Sequence, residues 1–279
     1  MNTRALLNLA LLLGVAALAL FVYLDPGGKQ APEGKPLLAC SAEAIHTLRV
    51  ERPDGEPVTL TRGDGGWAVT APFSARANRF RVHSLLALCT TPSLSRFAAS
   101  ALNLKEVGLE PPRARLTMDG QTLLFGGTEA LDQRRYVQVG ETVHLVDEDA
   151  YRHLIADPAA FADPALLPPE AHIEALKLPK LTLTRTPDGW QVKGAKPASQ
   201  DAPQMLADHW AAAHGLTVTR AEKLPKGASA EVQLADLPKP IRFVVEQDDR
   251  ELRLTRADNR LTYHLPAASA ADLLQLPSP

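Results

Sequence analysis

The chain has 279 residues, 45% hydrophobic and 22% charged, which is enough for one large or two small domains with real cores. A formal net charge of −2 leaves no basic field for a phosphate backbone, so nucleic-acid binding is excluded. Twenty-three prolines and few aromatics point to many short elements separated by breakers.

After a four-residue N-terminus, an apolar run opens at Ala5 and closes at Leu24 (ALLNLALLLGVAALALFVYL), with Asn8 its only strongly polar side chain. At 1.5 Å per residue these twenty residues span about 30 Å, the thickness of a bilayer core. Arg4 precedes the run and Asp25 follows it, so the positive-inside rule puts the N-terminus in the cytoplasm and the rest outside. Three readings compete. A cleaved signal peptide would use Ala17, Leu18 and Ala19 as its cut site, but apolar residues continue to Leu24. A lipoprotein signal would use Leu37, Leu38, Ala39 and Cys40, but a charged Gly/Pro stretch separates these from the run. An uncleaved signal-anchor fits best: a single-pass inner-membrane protein with the bulk of the chain in the periplasm. Residues 25–39, including DPGGKQAPEGKP, read as a short linker.

Two cysteines, Cys40 and Cys89, are present without a CxxC redox motif. In an oxidising compartment they are a disulfide candidate. The alternative is two buried thiols, because Cys89 ends an apolar helix face.

Beyond the linker, residues 45–50, 58–62 and 67–70 read as a three-strand meander with turns at Pro53-Asp54-Gly55 and residues 63–66. A helix is expected over 75–90, with Phe80, Val82, Leu85, Leu86 and Cys89 facing inward. A strand at 94–98 follows, then hairpins at 114–118/122–125 and 135–139/142–146. A short helix carries Tyr151, Leu154 and Ile155. Residues 157–169, rich in Pro and Ala, read as an inter-repeat linker. The order then recurs: strands at 173–178, 180–185 and 190–193, and a helix at 202–214 with Met205, Leu206 and Trp210 inward. Strands at 216–221, 232–234, 241–246, 251–255 and 261–265 and a closing helix at 268–276 complete it. LTRGDGGWAV (60–69) and LTRTPDGWQV (183–192) match at six of ten positions and mark the duplication. The expected class is α+β: a transmembrane helix followed by two tandem repeats of antiparallel β-meander plus helices, at 40–165 and 166–279.

The stretches LRVERPDGEPVTLTRGDGGWAVTAP, VGLEPPRARLTMDG, YVQVGETVHLVD and DPALLP resemble a bacterial family, domain-of-unknown-function family 4340, best over residues 45–168. The most specific piece is GL-x-P-P: Gly108, Leu109, Glu110, Pro111 and Pro112. Members are often membrane-anchored, and some lie beside, or are fused to, extracytoplasmic components of gliding-motility-type ABC transporters. The resemblance implies an envelope accessory role and supplies no catalytic residues.

Trp67 and Trp190 are either stacking platforms for glycan or peptide, or core aromatics anchoring sheet to helix; duplication favours packing. Arg62 and Arg185 are expected on the solvent face of their strand. His209 and His214, five apart, do not share a helix face, and the other histidines lack ligand spacing, so no metal or cofactor is expected. Neither a G-x-S-x-G elbow nor a Walker A motif occurs. The leading expectation is a non-catalytic accessory or interaction protein of the envelope, with the GL-x-P-P segment as a candidate contact surface. A lipid- or glycan-binding module comes second and an envelope hydrolase third.

Overall fold

The structure, a computed structural model, describes residues 35–277. The expected anchor and most of the expected linker lie outside the described residues. Among the described residues, no helix is long and apolar enough to cross a membrane.

Two antiparallel sheets with the same wiring dominate the fold. In the first module, β1 (Thr47–Arg52), β2 (Gly55–Gly63), β3 (Gly66–Ala71) and β4 (Ala75–Arg76) step outward from the sheet centre to one edge. Helix α1 (Arg79–Leu86) then carries the chain across the sheet face to β5 (Ser95–Ala98) at the opposite edge. The strands β6 (Ala114–Met118), β7 (Gln121–Thr128), β8 (Arg135–Val139) and β9 (Thr142–Val146) start beside β1 and close the gap to β5. A single turn of helix, α2 (Tyr151–Leu154), ends the module.

The second module repeats this path. Its strands are β10 (Ile173–Lys177), β11 (Thr182–Thr186), β12 (Gly189–Lys193), β13 (Thr217–Arg220), β14 (Ala228–Leu234), β15 (Ile241–Gln247), β16 (Glu251–Arg256) and β17 (Leu261–Pro266). Helix α3 (Ala202–Ala212) corresponds to α1 and α4 (Ser269–Leu274) to α2. The sheet order β12-β11-β10-β14-β15-β16-β17-β13 is that of the first module without β4. The duplication expected from two ten-residue matches therefore extends over the whole topology.

Alternation builds these sheets. Leu48 and Val50 of β1, Leu116 of β6 and Leu123 of β7 are buried while their neighbours are more exposed. Asp119 and Gly120 both adopt positive φ (44° and 88°), the conformation of a two-residue hairpin turn matching strand twist, and Met118 pairs with Gln121 across it. Asp119 also accepts hydrogen bonds from the backbone N–H of His46 and Thr47 at 2.9 and 2.7 Å, tying the hairpin to the start of β1.

Helix α1 begins at Arg79, capped by Asn78, whose side chain accepts from the Arg81 N–H at 3.2 Å. That start is later than expected and defines one inward stripe, Val82, Leu85, Leu86 and Cys89. Phe80 falls outside the stripe and is 68% exposed, correcting the expectation that it packs inward. Met205 likewise sits one position before the buried Leu206, and Ile155 lies just past α2; both are exposed.

Residues 157–169 form a packed strap and not a free linker. Asp157 caps a short 3-10 turn, Pro158–Phe161, and Ala159, Phe161, Ala162, Leu166 and Leu167 are buried. The strap backbone bonds to both modules. Phe161 O accepts from Asn78 N at 2.7 Å and Asp163 N donates to Arg76 O at 2.8 Å on one side. On the other, Pro164 O accepts from Gly215 N at 2.9 Å and Leu166 N donates to Ala213 O at 3.1 Å. Its apolar side chains join one buried cluster spanning both modules, so burial and satisfied backbone groups outweigh the breaker composition. Similarly, Leu37 and Leu38 are buried and Leu37 N donates to Thr91 O at 2.7 Å, so the folded part begins before Cys40.

Candidate binding groove

The repeated Leu-Thr-Arg…Trp stretch becomes a cross-strand pair. Arg62 of β2 faces Trp67 of β3 in register, and its guanidinium lies 5.3 Å from the indole centroid. Arg185 faces Trp190 in the second module at 5.4 Å. Each cation covers an indole that is half-buried and packed against the core, a contact worth about 0.5–1 kcal/mol when exposed. The fully buried tryptophan is the third one, Trp210.

In the first module this pair forms one end of a groove of about 840 Å³. Helix α1 contributes Arg79, Phe80, Val82, His83 and Leu86; the end of the strap contributes Pro168 and Pro169. Arg76 and Asp163, joined by a 3.0 Å ion pair, close the remaining side. Arg76 also donates to the Leu167 carbonyl at 2.6 Å, so the same residue fixes strap and groove. The floor is apolar and the rim carries three arginines against a single carboxylate. Among the described residues, the Arg79 and His83 side chains make no hydrogen bond or ion pair, and the Trp67 Nε1 donor is buried without an acceptor. Such a groove can hold an anionic group and an apolar group side by side.

The other expected site residues are placed as follows. Cys40 and Cys89 are joined as a disulfide, fastening the chain's entry to the C-terminal end of α1. In the GL-x-P-P segment, Gly108 adopts φ 70° and Leu109 is 3% exposed, with its side chain against Gly126. A Cβ at Gly126 would stand 2.5 Å from the Val107 carbonyl, so this segment is a plug over the β7 bulge, and only Glu110 and Pro111 are fully outward. Arg62, Trp67 and the α1 residues come together; the GL-x-P-P segment, Arg185 and Trp190 do not line this groove.

Two hydroxyl–histidine pairs escaped the sequence reading. Ser93 Oγ and His144 Nδ1 are 2.9 Å apart in a buried site, and burial, then Arg96, pushes the imidazole below its ordinary pKa. At the equivalent position, His264 Nε2 is 2.8 Å from Thr219 Oγ1 and its Nδ1 is 2.9 Å from Glu251 Oε2. The His264 hydrogen bond, then that of Arg253, holds the Glu251 carboxyl below its usual range. The distances are those of a nucleophile–base–orienter set, yet the side chains stand in a row across neighbouring strands β13, β17 and β16, with Arg253 also on the carboxylate at 2.6 Å. This geometry describes a cross-strand polar ladder. The signal was the near-match of TVHLV (142–146) and TYHLP (262–266). No group of three or more His, Cys, Asp or Glu side chains able to hold a metal occurs among the described residues.

Fold and groove define a duplicated, predominantly antiparallel β protein with an arginine-rimmed cleft beside α1. The chain belongs to the family of the domain of unknown function DUF4340, whose model matches residues 67–225, more than half of the chain. The match starts later than the expected 45–168 and runs through the strap to just beyond β13. No curated protein and no solved structure matches the chain.

Proposed function

We propose that the chain is a non-catalytic accessory protein of the bacterial cell envelope, held in the inner membrane by residues 5–24 with its bulk in the periplasm. Its role is to bind at the membrane surface beside a partner complex, of the ABC-transporter type that the family resemblance implies. The observation that carries this reading is positional. The chain enters the fold beside Thr91–Pro92, at the C-terminal end of the helix whose other face walls the groove. Tether and binding surface are therefore joined by a few residues of chain. The Cys40–Cys89 bond supports an oxidising compartment. For partner contact, β12 offers an open strand edge, whereas its counterpart β3 is covered by β4.

The test is photo-crosslinking of the full chain in membranes from an exposed β12 position, Gln191, followed by purification in mild detergent. Transporter subunits crosslinked at Gln191, and lost when residues 5–24 are removed, are the expected result. Retention of the same crosslinks without residues 5–24 would overturn the reading.

A further inference from the structure

We propose that the α1 groove binds the anionic headgroup of a phospholipid in the bilayer to which residues 5–24 attach the chain, an inference resting on the membrane-anchored reading above. Charge comes first. Arg62, Arg76 and Arg79 stand on the rim, while the whole chain is net negative. Arg76 already neutralises Asp163, and Arg62 donates to the Glu43 carbonyl beside its carboxylate, which among the described residues leaves Arg79 as the cation with no protein partner. The planar guanidinium fork matches phosphate oxygens two at a time, and Arg79 is uncommitted among the described residues. Burial comes second. Phe80, 68% exposed, and the half-buried Trp67 set apolar surface directly beside these cations, an arrangement an amphiphile satisfies and a free phosphate does not.

Position decides between a lipid and a soluble anion. Lys35 and Pro36 are held by Ser93 and Arg96: Lys35 O accepts from Ser93 N and from an Arg96 Nη at 3.0 Å each, and Pro36 O accepts from the same Nη at 3.3 Å. One 3-10 turn, Ala87–Cys89, and two threonines separate this site from Leu86 in the groove wall, about 10 Å of chain. Between Leu24 and Lys35 lie residues 25–34, which reach at most roughly 35 Å when fully extended. A membrane-anchored chain of this kind keeps the groove within reach of headgroups at every moment. Each arginine held near an anionic surface strengthens attachment roughly fivefold.

The full chain reconstituted into nanodiscs of phosphatidylcholine, with or without phosphatidylglycerol, tests this by amide hydrogen exchange. Phosphatidylglycerol is expected to slow exchange in α1 and the β2–β3 hairpin, in a salt-sensitive manner. The Arg62→Glu/Arg79→Glu pair should abolish that protection, with at least about a tenfold loss from the two charges. Arg79→Ala alone should weaken it, and Arg62→Lys/Arg79→Lys should retain part; unchanged exchange in β6–β9 shows that each variant is folded. Equal exchange in both lipid mixtures, or indifference to charge reversal, overturns the proposal. So does equal protection by inorganic phosphate, or protection by an acidic, phenylalanine-containing peptide but not by phosphatidylglycerol. A chain that elutes apart from the discs overturns the anchored reading and this proposal with it, whereas one that enters them and shows no lipid dependence overturns the proposal alone.

Discussion

The two modules fasten their crossing helix by different chemistry, each over its own sheet of the same wiring. Aligning the buried stripes places Val82, Leu85, Leu86 and Cys89 of the first module on Pro203, Leu206, Ala207 and Trp210 of the second. Where the first copy has a disulfide to Cys40, the second has a fully buried indole. That indole donates to Leu273 O at 2.7 Å and lies 5.7 Å from the Phe243 ring. A covalent staple acts mainly on the unfolded chain, whereas a packed aromatic acts on the folded one. The staple also fixes the chain's entry, which the second copy does not need because the strap delivers it already packed.

The largest expected effect is on the aromatic side. Trp210→Ala should cost about 5 kcal/mol, from the cavity and the orphaned Leu273 carbonyl, read as the midpoint shift in urea unfolding. A loss below about 2 kcal/mol would mean that α3 is held by something else. Cys40→Ala/Cys89→Ala opens a loop with a sequence separation of 49 residues, and chain entropy puts the cost at about 4 kcal/mol. Reducing agent should lower the wild-type midpoint to that of the double variant and leave the variant unmoved.

The strap comes next. Arg76→Ala removes the Asp163 pair and the Leu167 carbonyl donor from a half-buried position, at about 1–3 kcal/mol. Faster proteolysis within 157–169 would accompany it. If the variant melted like the wild type, the strap would be held by its apolar side chains alone.

The meanders and hairpins were legible because period-two alternation and Gly- or Asp-bearing turns survive in both copies. Trp67 and Trp190 announced the duplication in the same way. The strap was not, because prolines and alanines write the same composition whether a segment is free or wedged, and only the positions of Arg76, Asn78, Ala213 and Gly215 show that its backbone has partners. The groove depends on that strap and was illegible for the same reason. Phe80 was misplaced because its orientation follows from the Asn78 cap, which sets where the helix begins. Arg62 facing Trp67 was half visible: the residues stood out as repeat markers, but their pairing needed the register of a two-residue turn.

The smallest effect is the most informative about the two tryptophans. Trp190 Nε1 donates to Gln204 Oε1 at 2.8 Å, and Gln204 is steadied by Asp208 at 2.7 Å. In the aligned helix the place of Gln204 is taken by His83, which lines the groove with Trp67, and the Trp67 Nε1 has no acceptor. A buried N–H left unpaired costs about 1–3 kcal/mol, so the first copy gives up stability where the second does not. His83→Gln should restore the second module's pairing and raise stability by about 1 kcal/mol, a midpoint gain of roughly 2–4 °C. Gln204→Ala should lose a similar amount. Because the restored amide would sit on the groove wall, His83→Gln should also change the protection that phosphatidylglycerol gives α1, while Gln204→Ala should leave it alone. Equal lipid responses from the two variants would mean that the difference between the copies is one of packing only, and that the unpaired Trp67 Nε1 has no bearing on what the groove holds.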